Sequence, residues 1–218
     1  MIISLSDKLP GKSAHLIMAP DHRVNSLTLE KAPPANAINS AVLVLLVPSL
    51  NEWEVVLIKR NIYNGIHSGQ VSFPGGKCDA DDPDITHTAC REAFEELGIE
   101  RKDIKIIGQL SRLYVPPSNY IIYPILATSS NRREYNPNPR EVAGYIHVPL
   151  SCFNPSLIKR SRVQAGPDEW IEAPSYVIDG HIIWGATAMI IAELYQVAAA
   201  KASTSFIKPY SSSSNPEI

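Results

Sequence analysis

The stretch Arg91-Glu92-Ala93-Phe94-Glu95-Glu96-Leu97-Gly98-Ile99 decides how this chain is read. Its apolar and small residues recur at helical spacing, and Gly98 supplies a stop. At about 100° per residue, Glu92, Glu95 and Glu96 fall within roughly 100° of arc on that helix. Glu92 and Glu96 are four apart, so their carboxylates are neighbours. Glu95 and Glu96 also stand in the last turn, where the helix dipole disfavours negative charge. Arg91 precedes Glu95 by four residues, the weaker order for an ion pair. Helix formation alone does not select this arrangement. A bound divalent cation does, because hard cations want several carboxylate oxygens.

Upstream, Asp82-Pro83 reads as an N-cap followed by proline at the first helical position. The helix then runs to Leu97, with Ile85, Ala89, Cys90, Ala93, Phe94 and Leu97 as its apolar side. Glu92 and Glu96 project near the Ile85/Ala89 edge of that side, which predicts partial burial. Residues 61–74 form a glycine-containing loop before it. Further upstream, the apolar run 41–47 reads as a buried strand and 53–58 as its partner. Residues 1–38 are proline-punctuated and predict a short helix and an extended arm, an N-terminal extension to a domain over 39–202. Downstream, residues 104–110, 120–127 and 142–148 read as strands, and 149–160 as holding a short helix. Residues 176–178 and 181–184 flank Asp179-Gly180, a strong hairpin signal. A last helix covers 186–200, with Met189, Ile190, Leu194 and Val197 on its buried side. The serine-rich residues 203–218 read as a disordered tail. Strands interspersed with two good helices predict an α/β fold, a mixed β-sheet covered by helices.

The chain has 218 residues, 44% of them hydrophobic, with a formal net charge of -2. That suffices for one domain with a sizeable core. Near-neutral charge gives no nucleic-acid footprint. Cys78, Cys90 and Cys152 have no metal-ligand spacing and are too few for a disulfide framework, which fits a reducing compartment. The start of the chain lacks the basic-then-apolar pattern of a signal peptide. The longest apolar run is too short to span a bilayer. The expectation is a cytoplasmic protein with a small-molecule substrate and no nucleic-acid or membrane partner, either monomer or homodimer.

From Gly75-Gly76 to Ile99 the chain resembles the Nudix box, G-x5-E-x7-R-E-U-x-E-E-x-G-U with U apolar. Arg91, Glu92, Glu95, Glu96, Gly98 and Ile99 match its second half. The first half departs: Asp82 replaces the first glutamate, and the spacing to Arg91 is one residue longer. The segment His67-Ser68-Gly69-Gln70-Val71-Ser72-Phe73-Pro74-Gly75-Gly76-Lys77 resembles the signature of the coenzyme A pyrophosphatase type. That group often carries the longer, aspartate-containing box. Ile183-Trp184-Gly185-Ala186-Thr187-Ala188 resembles its C-terminal feature.

The resemblance implies a Nudix-type α/β/α sandwich and metal-dependent hydrolysis of the pyrophosphate bond in coenzyme A or its thioesters. Close alternatives are ADP-ribose, a dinucleotide or a nucleoside triphosphate as substrate; a more distant one is a catalytically silent, nucleotide-sensing domain. It implies that Glu92, Glu95 and Glu96 ligate or serve Mg2+ (or Mn2+), with the Gly75 carbonyl as a further ligand. Glu95 and Glu141, at the start of the 142–148 strand, compete for the role of base. His67, Gln70 and Arg60 are candidates for substrate binding, with loop support and solvated strand-end charge as the alternatives. For Asp82 three roles stand open: helix cap, partner of Arg91, or support behind a metal.

Overall fold

A computed structural model of the chain describes residues 5, 8–29, 32–50, 52–62, 68–130, 133–166 and 169–202. The predicted tail at 203–218 lies outside them. The chain begins with two helices, α1 (Lys12–Ile17) and α2 (Asp21–Thr28). Strands β1 (Ile38–Pro48), β2 (Trp53–Arg60), β3 (Val71–Ser72) and β4 (Gly75–Lys77) lead into α3 (Ile85–Leu97). Then come β5 (Lys105–Gln109), β6 (Leu113–Val115), β7 (Tyr120–Thr128) and β8 (Val142–Pro149). Finally β9 (Lys159–Gln164), β10 (Trp170–Ile178) and β11 (His181–Trp184) precede α4 (Gly185–Ala202).

The centre of the molecule is β1. Its Ala41, Leu43, Leu45 and Val47 are buried on one face, and Val44 and Leu46 on the other. A strand with apolar residues at every position has to be covered on both faces. On the first face lie Ala89, Ala93 and Leu97 of α3, joined by Val56 and Ile58 of β2. On the second lie Met189, Ile190, Leu194 and Val197 of α4, joined by Val55 and Leu57. The large sheet pairs β1 with β7 in parallel and its other strands antiparallel. Eight strands belong to it, and β9, β10 and β11 form a second, three-stranded sheet. This is the expected α/β/α sandwich with a mixed sheet.

Several local expectations are corrected. Helix α3 starts at Ile85, and its cap is Asp84, whose side chain accepts from His87 N at 2.7 Å. Asp82 is drawn away from capping by Arg91. Phe94 is 57% exposed rather than part of the apolar side, because it lies about 100° round the helix from Ala93. Residues 149–160 contain two 3-10 turns, Leu150–Phe153 and Pro155–Leu157, and then β9. The glycine loop contains β3 and leads directly into β4, held as strands by the edges of β2 and β1.

Other expectations hold. Gly98 caps α3 in the left-handed conformation, φ 69°. Asp179 and Gly180 both have positive φ, as a two-residue turn between twisted strands requires. Helix α4 is buried more widely than one side, because α1 packs against it. Fully buried Glu193 of α4 binds that helix pair to the body. It accepts from Gly11 N at 3.0 Å and Ser111 N at 3.1 Å, and meets His15 Nε2 at 3.2 Å.

Candidate active site

Gly75 and Gly76 enter β4 alongside β1, opposite Val42 and Ala41, and α3 crosses beside them. The contact is too close for side chains. A Cβ on Gly75 would stand 2.3 Å from the Ala41 carbonyl oxygen, and one on Gly76 would stand 2.5 Å from the Glu92 carboxylate. The glycines thus bring the loop backbone onto the helix glutamates. Gly75 N donates to Glu96 Oε2 at 2.9 Å. Arg60, at the end of β2, donates Nη2 to the Gly75 carbonyl and Nε to Ser72 Oγ, both at 3.2 Å. The carbonyl expected to serve a metal is therefore shared with Arg60.

Glu96 is 3% exposed. Burial pushes its carboxyl pKa up to about 7, helped by the charges of Glu92 and Glu141 and opposed by Arg60 and the Gly75 N–H. Glu92 is half-buried, and burial raises its pKa too, against the pull of Arg91. These two carboxylates, one turn apart, share an unfavourable charge that a cation would relieve. Among the described residues, no three His, Cys, Asp or Glu side chains form a ready-made metal-holding group. The donor set that is gathered suits a hard cation that retains water ligands.

Arg91 organises the entry to this site. It donates Nη1 to Glu92 Oε1 at 2.9 Å and to Glu95 Oε2 at 3.0 Å. Its Nη2 reaches the Lys77 carbonyl at 3.1 Å, and two further donations go to Asp82. Asp82 also accepts from Asp79 N, Thr88 Oγ1 and His87 Nδ1. These bonds hold its carboxyl well below the usual carboxylate range, Arg91 foremost. Of the three roles open to Asp82, the geometry gives it the partnership with Arg91.

A cavity of about 440 Å³ opens over the glutamates. Glu92, Glu96, Glu141, Arg60, Gln70 and Gly75 all line it, so six of the expected site residues meet there. Glu95 is paired with Arg91, exposed, and outside the lining. His67 lies outside the described residues. Trp184, part of the Ile183–Ala188 feature, stands in the cavity wall. The same wall includes Pro20, His22 and Arg23 of the N-terminal segment. No local pattern singled these out; only the packing of α1 and α2 brings them there.

The comparisons with known proteins agree. The NUDIX domain model matches residues 38–179. A protein described as an uncharacterized Nudix hydrolase NudL, from Photorhabdus laumondii, is 33% identical over 178 residues, 79% of this chain and 94% of its own. The human mitochondrial coenzyme A diphosphatase NUDT8 is 33% identical over 168 residues, 73% of this chain and 68% of its own. Among solved structures, the Nudix hydrolase RenU from M. smegmatis superposes with TM-score 0.52 at 15% identity, covering 75% of this chain and 87% of its own, which supports the fold. Motif, architecture and relatives coincide: the chain belongs to the Nudix hydrolase family and is a pyrophosphatase of that family.

Proposed function

We propose that this Nudix hydrolase cleaves the pyrophosphate bond of coenzyme A or its thioesters, giving adenosine 3′,5′-bisphosphate and 4′-phosphopantetheine or its acyl form. The observation that carries the reading is the segment 67–77, which leads into the Gly75–Gly76 approach to α3. The 33% identity to a coenzyme A diphosphatase supports it. The cavity also offers apolar wall from Val115, Ile122, Trp184 and Met189 beside the glutamates, which suits a long, partly apolar substrate.

In this reading Glu92 and Glu96 would hold Mg2+ or Mn2+, with the Gly75 carbonyl as a further donor. A divalent ion there neutralises phosphate charge and lowers the pKa of bound water. Water oxygen bonds to one phosphorus while the bridging P–O bond breaks and the leaving phosphate keeps the electron pair. We assign the proton of that water to Glu141, which lines the cavity and whose charge is felt by both Glu92 and Glu96. Glu95 is the second choice. Arg60 and Gln70 contact phosphate or hold the loop beneath it. No helix among the described residues is long and apolar enough to cross a membrane, and free cysteines accord with a cytoplasmic site of action.

The test is magnesium-dependent turnover of coenzyme A, acetyl-coenzyme A, ADP-ribose, NADH and diadenosine polyphosphates. Coenzyme A or its thioester should have the highest kcat/KM. Preference for ADP-ribose or a dinucleotide, with coenzyme A untouched, sinks the substrate assignment.

A further inference from the structure

Arg23 is a buried cation that the hydrolytic chemistry leaves unused. It stands in the first turn of α2, outside the residues matched by the family model. It lines the same cavity as Glu92 and Glu96, yet is only 8% exposed. Its Nη2 donates to the Tyr114 carbonyl at 2.7 Å, which fixes the guanidinium against β6. That acceptor is uncharged. Its Nε, shut off from water, has no acceptor, and no carboxylate pairs with the group among the described residues. A guanidinium has five N–H donors in a planar fork, and burying one without a counter-charge is costly. Burial accordingly pulls its pKa down.

The surroundings suit an anion. Strand β6 pairs with β7, Val115 opposite Tyr120, and Ser118 and Tyr120 of that hairpin join His22 in the cavity wall. One chamber therefore has carboxylates in one wall and an uncompensated cation in another. Such a chamber selects a ligand with anionic groups at two separated points, one needing a bridging cation and the other not. We propose that Arg23 binds a phosphate monoester on the adenosine half of the substrate, remote from the diphosphate that is cut, and so sets specificity. The proposal rests on the coenzyme A reading, since coenzyme A carries such a phosphate on its ribose.

The experiment compares coenzyme A with dephospho-coenzyme A, which lacks only that phosphate, on wild type, Arg23→Gln and Arg23→Lys. Wild type should prefer coenzyme A, and Arg23→Gln should lower kcat/KM for coenzyme A by roughly ten- to hundred-fold. On dephospho-coenzyme A the loss should be several-fold smaller, a cooperative thermal melt reports an intact fold, and Arg23→Lys should recover part of the preference. Equal loss on both substrates means that Arg23 merely braces α2 against β6 and overturns the proposal. Calorimetric binding of adenosine 3′,5′-bisphosphate against AMP gives a readout without turnover. Tighter binding of the bisphosphate, lost in Arg23→Gln, sustains the phosphate site even if coenzyme A is not hydrolysed. Coenzyme A hydrolysis with no discrimination against the dephospho form leaves the substrate assignment standing and removes the Arg23 site.

Discussion

Arg91 and Asp82 meet as a fork, Nε to Oδ1 and Nη2 to Oδ2, each at 3.0 Å. The Asp82 side chain is 4% exposed and that of Arg91 20%, so the pair is well shielded. Arg91 keeps Glu92 and Glu95 as partners, so Asp82→Asn removes the strongest of several charge-assisted contacts and should cost about 1–3 kcal/mol of stability. The same change loosens Arg91 from Glu92, so kcat should fall as well. Urea denaturation and steady-state kinetics on one preparation check both; an unaltered urea midpoint would contradict the bracing role.

The two box glycines should fail in different ways. Gly75→Ala places a methyl group against the Ala41 carbonyl oxygen and Val42 Cα, at φ +154°. Backbone cannot yield there, and the variant should be grossly unstable. In Gly76→Ala the atoms nearest the new methyl are the Glu92 carboxylate carbon and oxygens, the end of a side chain that can swing away. This variant should fold nearly normally and lose on the order of a hundredfold in kcat/KM, because a small misplacement of a site group has that effect. Thermal melts and kinetics on the two variants separate these outcomes.

Glu96→Gln should remove most activity while making the metal-free protein more stable. Its folded-state pKa of about 7 lies above its ordinary value. The folded state therefore binds the extra proton, and the stability associated with it is present below the unfolded pKa and lost as pH rises through 7. At pH 8 the neutral amide avoids that loss, on the order of 1–3 kcal/mol. Denaturation of metal-free wild type and variant at pH 5 and pH 8 should show the gap widening with pH. Excess magnesium should stabilise wild type only.

Glu141→Gln should separate chemistry from cation binding. As the proposed proton acceptor, its loss should lower kcat by about a hundred- to ten-thousand-fold. Manganese affinity, read by calorimetry, should change far less. Near-normal turnover would remove Glu141 from the mechanism and favour Glu95.

Glu193 gives the opposite pH sign to Glu96. Its pKa is lowered: burial raises it, but His15, Ser111 and Gly11 overcome that. Its contribution is complete above the ordinary glutamate value, about 4.3, and fades as pH falls through the lowered folded value. Glu193→Gln should cost about 2–4 kcal/mol at pH 7 by turning an acceptor-only group towards N–H donors. The difference from wild type should shrink near pH 3. Limited proteolysis should show the segment carrying α1 and α2 cut earlier in the variant.

What could be read in advance was what local spacing encodes. The Glu92/Glu96 pair, the Gly98 stop, the doubly buried β1 and the Asp179-Gly180 turn each follow from residues within a few positions of one another. The roles of Asp82 stay open in the sequence because Asp84 offers the same capping chemistry two residues later, and only the Arg91 contact, nine positions on, takes Asp82 as its partner and leaves the cap to Asp84. Strand β9 escaped because Lys159-Arg160-Ser161-Arg162 has no apolar alternation; its pairing with β10 makes it a strand. Arg23 had no signal at all, since only the docking of α2, with its contact to the distant Tyr114 carbonyl, brings it to the cavity.

The sheet separates two inventories. One cover, α3, supplies Glu92 and Glu96; the opposite side, through α2 and the start of α4, supplies much of the remaining chamber wall. The segment that identifies the family, residues 38–179, includes the first cover and omits both helices of the second. Mutational drift in the cavity-facing residues of those outer helices can therefore reshape the chamber while Glu92 and Glu96 stay fixed on α3, but α4 cannot be trimmed away with impunity, because it is also the roof over the second face of β1.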